Sequence, residues 1–231
     1  MSSSKEIPLA GGQITHGVVR IGTTVRRPQK STAAFVHQLL LFLEAQGFSE
    51  APRFLGIDEQ GREILSYIPG HTLPGSGYKL ADDLLIKTAR LIRRLHDVTA
   101  GSALADGREI VAHHDLGPHN TIFQRRQPVG IIDWDAAAPG TRLRDFANAV
   151  WCYVDVGQRA WPVEEEARRI KLMCAAYGWD DPVAIVNDIE ADLQQALRNH
   201  QQAGRAGAIK VFQEEVRWMG MRAESLRTIL R

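Results

Sequence analysis

Apolar residues alternate with polar ones in short runs through the first third of the chain, and recur at helical spacing through most of the remainder. Residues 7–9, 17–21 and 24–26 read as short strands separated by Gly11, Gly12 and Gly22, the latter two close enough for a hairpin. Phe35, Leu39, Phe42 and Leu43 fall on one face of a helix that Ser31 or Thr32 can cap and Gly47 can close. Residues 53–57 and 62–68 form a second strand pair across a turn at 58–61. Beyond Pro69 and Gly70 the character changes. Leu84, Thr88, Leu91 and Leu95 make a helical stripe over 80–98, and short strands at 121–123 and 129–132 flank the turn at 125–128. From 143 onward helix follows helix, Gly178 ending one while Asp181 and Pro182 start the next as N-cap and first residue. The pattern predicts an α+β chain: residues 1–69 form a small β-rich unit with one helix, and 70–231 a mainly helical unit carrying a β insertion.

Composition narrows the function classes. The 231 residues include 28 Lys+Arg against 27 Asp+Glu, a net charge of +1. No basic field exists to hold a polyphosphate backbone, so nucleic acid is excluded as the expected partner. The average conceals an acidic block, since residues 135–192 hold 11 acidic against 6 basic side chains. The two cysteines, Cys152 and Cys174, lie in apolar helical patterns without ligand spacing and read as buried free thiols. Neither a signal-peptide core nor a run of about 18–20 apolar residues occurs, which predicts a cytoplasmic protein with no membrane partner.

The chemistry concentrates in residues 111–135. Gly117 and Pro118 prevent a helix through His113, His114, Asp115, His119 and Asn120, so this cluster sits on a loop between short strands. Ile131 and Ile132 embed the next strand and present Asp133 at its end. Phosphoryl transfer requires such a set: one carboxylate to take or position the proton of an attacking hydroxyl, and hard oxygens to hold Mg²⁺ against the phosphates. Asp115 suits the first task, Asn120 with Asp133 the second. Asp135 is placed equally well to support the metal or to cap the turn that follows it.

His113-x-Asp115-x-x-x-x-Asn120 followed by Ile132-Asp133-Trp134-Asp135 resembles the catalytic and metal motifs of the aminoglycoside phosphotransferase/choline kinase-like family, distant relatives of the protein kinases. The resemblance implies a bilobal protein-kinase-like fold, with a nucleotide-binding lobe at 1–69 and a catalytic and acceptor lobe at 70–231. It implies ATP (or GTP) and Mg²⁺ as cofactors and a small-molecule hydroxyl as acceptor. Asp115 would be the catalytic base and His113 would brace its loop; Asn120 and Asp133 would bind the metal. Gly11 and Gly12 would admit backbone N–H groups to the phosphates, Arg26 would stand for the third-strand lysine, and the backbone of Ser66, Tyr67 and Ile68 would meet the base. Asp145 would hold the catalytic loop. Val36 and His37 stand where a glutamate partner for the third-strand cation is expected.

The acidic block favours a cationic acceptor by simple attraction, as an aminoglycoside-like antibiotic or an amine metabolite would be. Two other readings remain at this stage. A kinase-shaped binding or immunity protein would keep the fold and lose turnover, and a metal phosphohydrolase would use the histidines as ligands.

Overall fold

The computed structural model describes residues 5–9, 17–75, 77, 79–157 and 161–231. Gly11 and Gly12 lie outside the described residues.

In chain order, β1 (Ile7–Pro8), β2 (Val19–Ile21), β3 (Thr24–Pro28), α1 (Ala33–Ala45), β4 (Phe54–Ile57) and β5 (Arg62–Ser66) form the N-terminal part. The strands make one antiparallel sheet in the order β1-β2-β3-β5-β4. The register puts Arg27 of β3 directly opposite Glu63 of β5. Val36, Leu39, Leu40 and Leu43 are the large buried side chains of α1, with Phe35 and Phe42 packed only at the margin of the core. The apolar stripe is therefore rotated from the expected one. Thr32 does not cap the helix with its side chain; its hydroxyl donates instead to the Asp135 carbonyl at 3.0 Å, tying α1 to the C-terminal part.

The chain crosses between the two parts beside Gly70. Its φ of +144° is open to glycine, and an added Cβ would sit 2.5 Å from Ile122 Cγ2 and 2.6 Å from the Phe123 carbonyl oxygen. His71 pairs with Phe123 through both backbone groups.

The C-terminal part contains α2 (Asp82–Thr99), β6 (Ile110–Ala112), β7 (Thr121–Gln124), β8 (Gln127–Ile131), β9 (Ala138–Gly140), α3 (Arg142–Val154), α4 (Val163–Tyr177), α5 (Pro182–Gln202) and α6 (Ala206–Leu230). β6 pairs with β9 and β7 with β8, both antiparallel. α2 packs on α4, α3 on α5 and α5 on α6. Leu85, Ile92 and Leu95 of α2 meet Phe146, Val150, Ile170 and Met173 in the same core. The predicted signals at 178–182 operate as expected: Gly178 closes α4 at φ +83°, and Asp181 accepts the Ala184 amide at 3.0 Å with Pro182 first in α5. No helix among the described residues is long and apolar enough to cross a membrane.

Candidate active site

The loop between β6 and β7 is framed by one buried carboxylate. Asp145, in the first turn of α3, accepts the His113 amide at 3.0 Å and His96 Nε2 at 3.0 Å on Oδ2, and the His114 amide at 2.7 Å on Oδ1. With its Nε2 proton given to Asp145, His96 accepts the Tyr177 hydroxyl on Nδ1 at 2.7 Å. Burial alone would push the Asp145 carboxyl up, but His96 and the two amides reverse this and hold it below the usual carboxylate range. The His113 ring is buried too. Its Nε2 donates to the Ile132 carbonyl at 3.1 Å, its plane meets Trp134 edge-on at 4.7 Å, and burial lowers its pKa, keeping it neutral. His113 thus joins the loop to Ile132, which links the end of β8 to Asp133.

Asp115 projects from this frame and is half-exposed. Asn120 Nδ2 donates to its Oδ2 at 2.8 Å and to its backbone carbonyl at 3.0 Å, while His119 Nε2 lies 3.4 Å from Oδ1. Burial raises the Asp115 pKa, and the His119, His113 and Asn120 side chains together bring it below the ordinary value, so the group is an ionised acceptor at neutral pH. Gly117 makes room for this arrangement. Its φ of −162° suits any residue, yet a Cβ there would fall 2.4 Å from His119 Cε1. The ring, not the backbone, requires the glycine.

A cavity of about 290 Å³ opens beside Asp115, walled by His119, Asn148, Trp151, Cys152, Asp155 and Glu215. Burial pushes the Cys152 thiol up to about 12, so it is a wall and not a nucleophile. Asp155 accepts the Gly77 amide at 3.0 Å, and burial raises its carboxyl above the ordinary value. Much of the acidic block is already balanced within the fold. Asp188 and Asp192 pair with Arg144, Glu190 with Arg227, Glu165 with Arg168 and Lys79, and Glu166 with Arg222. Asp115 and Asp155 are the carboxylates of this block and its loop that line the cavity.

Across the loop, Asp133 has left-handed backbone, φ +62°, and leads into a tight turn at Trp134–Ala136. The chain is not extended here, and the turn brings Asp133 and Asp135 to one guanidinium. That guanidinium belongs to Arg27. Its Nη2 donates to Asp135 at 2.6 Å, its Nη1 to Asp133 at 3.3 Å, and its Nε to Glu63. Glu63 also meets His37 Nε2 at 2.8 Å, and His37 stacks on Phe54 at 3.8 Å. Burial pulls the Arg27 pKa down, and the attraction of Glu63, Asp135 and Asp133 more than offsets it. Arg26, the residue expected to face the phosphates, points to the opposite side of β3, where it contacts Thr24 at 2.6 Å and Asp58 at 3.7 Å. Successive strand residues alternate between faces, so Arg27, and not Arg26, faces Asp133 and Asp135. Of the backbone groups expected to meet the base, the Ser66 amide bonds the Arg53 carbonyl and the Tyr67 amide the Thr23 carbonyl.

The donor set fits magnesium. Asn120 commits its amide hydrogens to Asp115, which leaves its carbonyl oxygen for a cation beside the carboxylates of Asp133 and Asp135. Glu63, Asp133 and Asp135 share a single Arg27 charge, so two negative charges remain for a divalent ion to balance. Among the described residues no group of three His, Cys, Asp or Glu side chains converges for a metal.

Residues 100–185, which contain this loop and both aspartates, match the phosphotransferase enzyme family. Over 197 residues the chain is 34% identical to the trifolitoxin immunity protein of Rhizobium leguminosarum bv. trifolii, an overlap of 75% of this chain and 74% of that one. The chain belongs to the phosphotransferase enzyme family. Solved structures share its fold: the gentamicin complex of APH(2")-IIa superposes with a TM-score of 0.66 at 16% identity, covering 92% of this chain and 90% of the other. Choline kinase from Cryptosporidium parvum Iowa II superposes with a TM-score of 0.55 at 13% identity, covering 92% and 84%. Within this phosphotransferase frame, reading the sequence missed Arg27, Glu63 and His37. The usable signal was phase. Glu63 stands two residues before Leu65 in β5 and is buried on the same face, so a charge lies in an apolar register.

Proposed function

We propose that the protein transfers the γ-phosphoryl group of ATP, or of GTP read through the same backbone groups, to a hydroxyl of a small cationic molecule. The observation that carries this reading is the Asp115 carboxylate, held on both oxygens by Asn120 and His119 at the mouth of an acidic cavity. Asp115 accepts the acceptor hydroxyl proton or its hydrogen bond and aims the oxygen at the phosphorus in line. Asp155 and Trp151 of the cavity wall suit an ammonium-bearing acceptor, the carboxylate by charge and the aromatic side chain by apolar contact. Asn120 and Asp133 hold Mg²⁺, which when bound neutralises charge on the phosphates. Asp145, through the His113 and His114 amides, and His113, through Ile132, keep Asp115 and Asp133 in register.

The test is ADP release by the purified chain over aminoglycosides, other amine-bearing antibiotics, choline-like amines and neutral sugars. Turnover is expected with an amine-bearing acceptor. Asp115→Asn should lower kcat by at least about a hundredfold with nucleotide binding retained, whereas Asp133→Ala should lose both. ADP release unchanged by either substitution overturns the assignment. A second reading is favoured by the immunity-protein relative alone: a kinase-shaped protein that captures a small molecule. Tight binding of an amine-bearing compound without ADP release from any acceptor would select it.

A further inference from the structure

We infer that Glu63, a strand residue of the N-terminal sheet, is the positioning residue for Arg27, and that Arg27 is the cation this chain presents to the nucleotide phosphates. The inference rests on the phosphotransfer reading and identifies a residue pair within it. Glu63 is 1% exposed and sits directly across the β3–β5 ladder from Arg27, so the pair is built into the register of two adjacent strands. His37 of α1, standing where a helix carboxylate was expected, donates to the second oxygen of Glu63 and is itself fixed by stacking on Phe54. The carboxylate has moved from the helix to the sheet, and the helix now supplies a donor that orients it.

The guanidinium is held unequally. Its Nε end is locked on a buried, doubly engaged carboxylate. Its Nη1 end reaches Asp133, the more exposed of the two aspartates, over 3.3 Å. Arginine presents its donors as a rigid planar fork, so with Nε on Glu63 and Nη2 on Asp135 the Nη1 donor keeps its aim and can exchange its long contact with Asp133 for a phosphate oxygen beside it. Without Glu63 nothing opposes complete collapse of the fork onto Asp133 and Asp135, the carboxylates needed for the metal.

The experiment is calorimetric binding of ADP and of GDP, each with magnesium, to the parent chain, Glu63→Gln, Arg27→Met, the double variant and His37→Phe. Glu63→Gln is expected to weaken the bound nucleotide on the order of tenfold, the size of one charge-assisted hydrogen bond. It should also raise the magnesium concentration needed for binding, leaving acceptor affinity unchanged. Once Arg27 is replaced by Met, Glu63→Gln should cost nothing more, because an anchor has no effect without the group it holds. A merely structural Glu63 would give additive losses, and additive losses overturn the inference. Should Glu63→Gln fail to fold, His37→Phe carries the test: it keeps the stack on Phe54, removes the donor to Glu63, and should weaken nucleotide several-fold. Unchanged affinity in folded His37→Phe then overturns the anchor. Nucleotide binding by the parent that the substitutions leave intact defeats the anchor alone, and absence of binding by the parent defeats it together with the phosphotransfer reading.

Discussion

Two buried carboxylates frame this site, and they are held by different means. Asp145 is fully buried and satisfied by two backbone amides and a histidine; Glu63 is 1% exposed and satisfied by the side chains of Arg27 and His37. A carboxylate bonded to backbone fixes the path of a loop whatever side chains that loop carries. One bonded to side chains fixes only those side chains. The first arrangement fixes the path of the 113–120 loop, and the second fixes a guanidinium whose longest contact, Nη1 to Asp133, is the one open to exchange.

The largest expected difference is in stability. Asp145→Asn places an NH₂ group against donors in a sealed site and should cost about 3 kcal/mol or more, read as a shift in denaturant midpoint. Glu63→Gln keeps an acceptor for Arg27 and should cost less, about 1–2 kcal/mol. Equal costs would erase the distinction between the two carboxylates. A smaller effect separates packing from backbone strain in the same loop. Gly117→Ala should destabilise by about 1–3 kcal/mol and reduce turnover, because its Cβ displaces the His119 ring. His119→Ala in the same chain should recover the stability but not the turnover. Failure to recover would mean that backbone conformation, and not the ring, requires glycine.

The pH dependence sharpens the comparison further. Burial depresses the folded-state pKa of His113, so the unfolded chain takes up that proton first. Its contribution to stability is complete above the ordinary histidine value, about 6.5, and declines as the pH falls through it. Asp145 also has a depressed folded pKa, and its contribution is complete above the ordinary carboxylate value and lost below it. Unfolding midpoints taken downward from neutral pH should therefore fall in two stages, and His113→Gln should remove only the upper one. A parent profile flat from about pH 7 to about pH 5 contradicts the assignment of a neutral, buried His113.

The legible parts of the chain were those where chemistry follows local spacing. His113, Asp115 and Asn120 lie within one segment where Gly117 and Pro118 allow no α-helix and only a single tight turn at Pro118–Asn120, and Asp133 stands two residues beyond an apolar strand; these residues could be gathered without tertiary information. The helical C-terminal part was equally readable, because Gly178, Asp181 and Pro182 mark helix ends by local backbone physics. The N-terminal site was not readable in the same way. Choosing Arg27 over Arg26 depends on which face of β3 looks inward, and a one-residue slip reverses every side chain of a strand. Glu63 is 36 residues from Arg27 in sequence, and only the β3–β5 pairing joins them. The acidic block was legible only as a count of charges, because the partners Arg144, Arg227 and Arg222 arrive from other helices.

The central claim is that Asp115 directs phosphate onto an acceptor bound in the acidic cavity. The most direct measurement supplies ATP radiolabelled in the γ position, with magnesium and the amine-bearing acceptor panel, and follows the label. The account predicts label on an acceptor hydroxyl with the parent chain and none with Asp115→Asn, although both proteins bind nucleotide. Label appearing only as free phosphate, or transferred equally by Asp115→Asn, would contradict it.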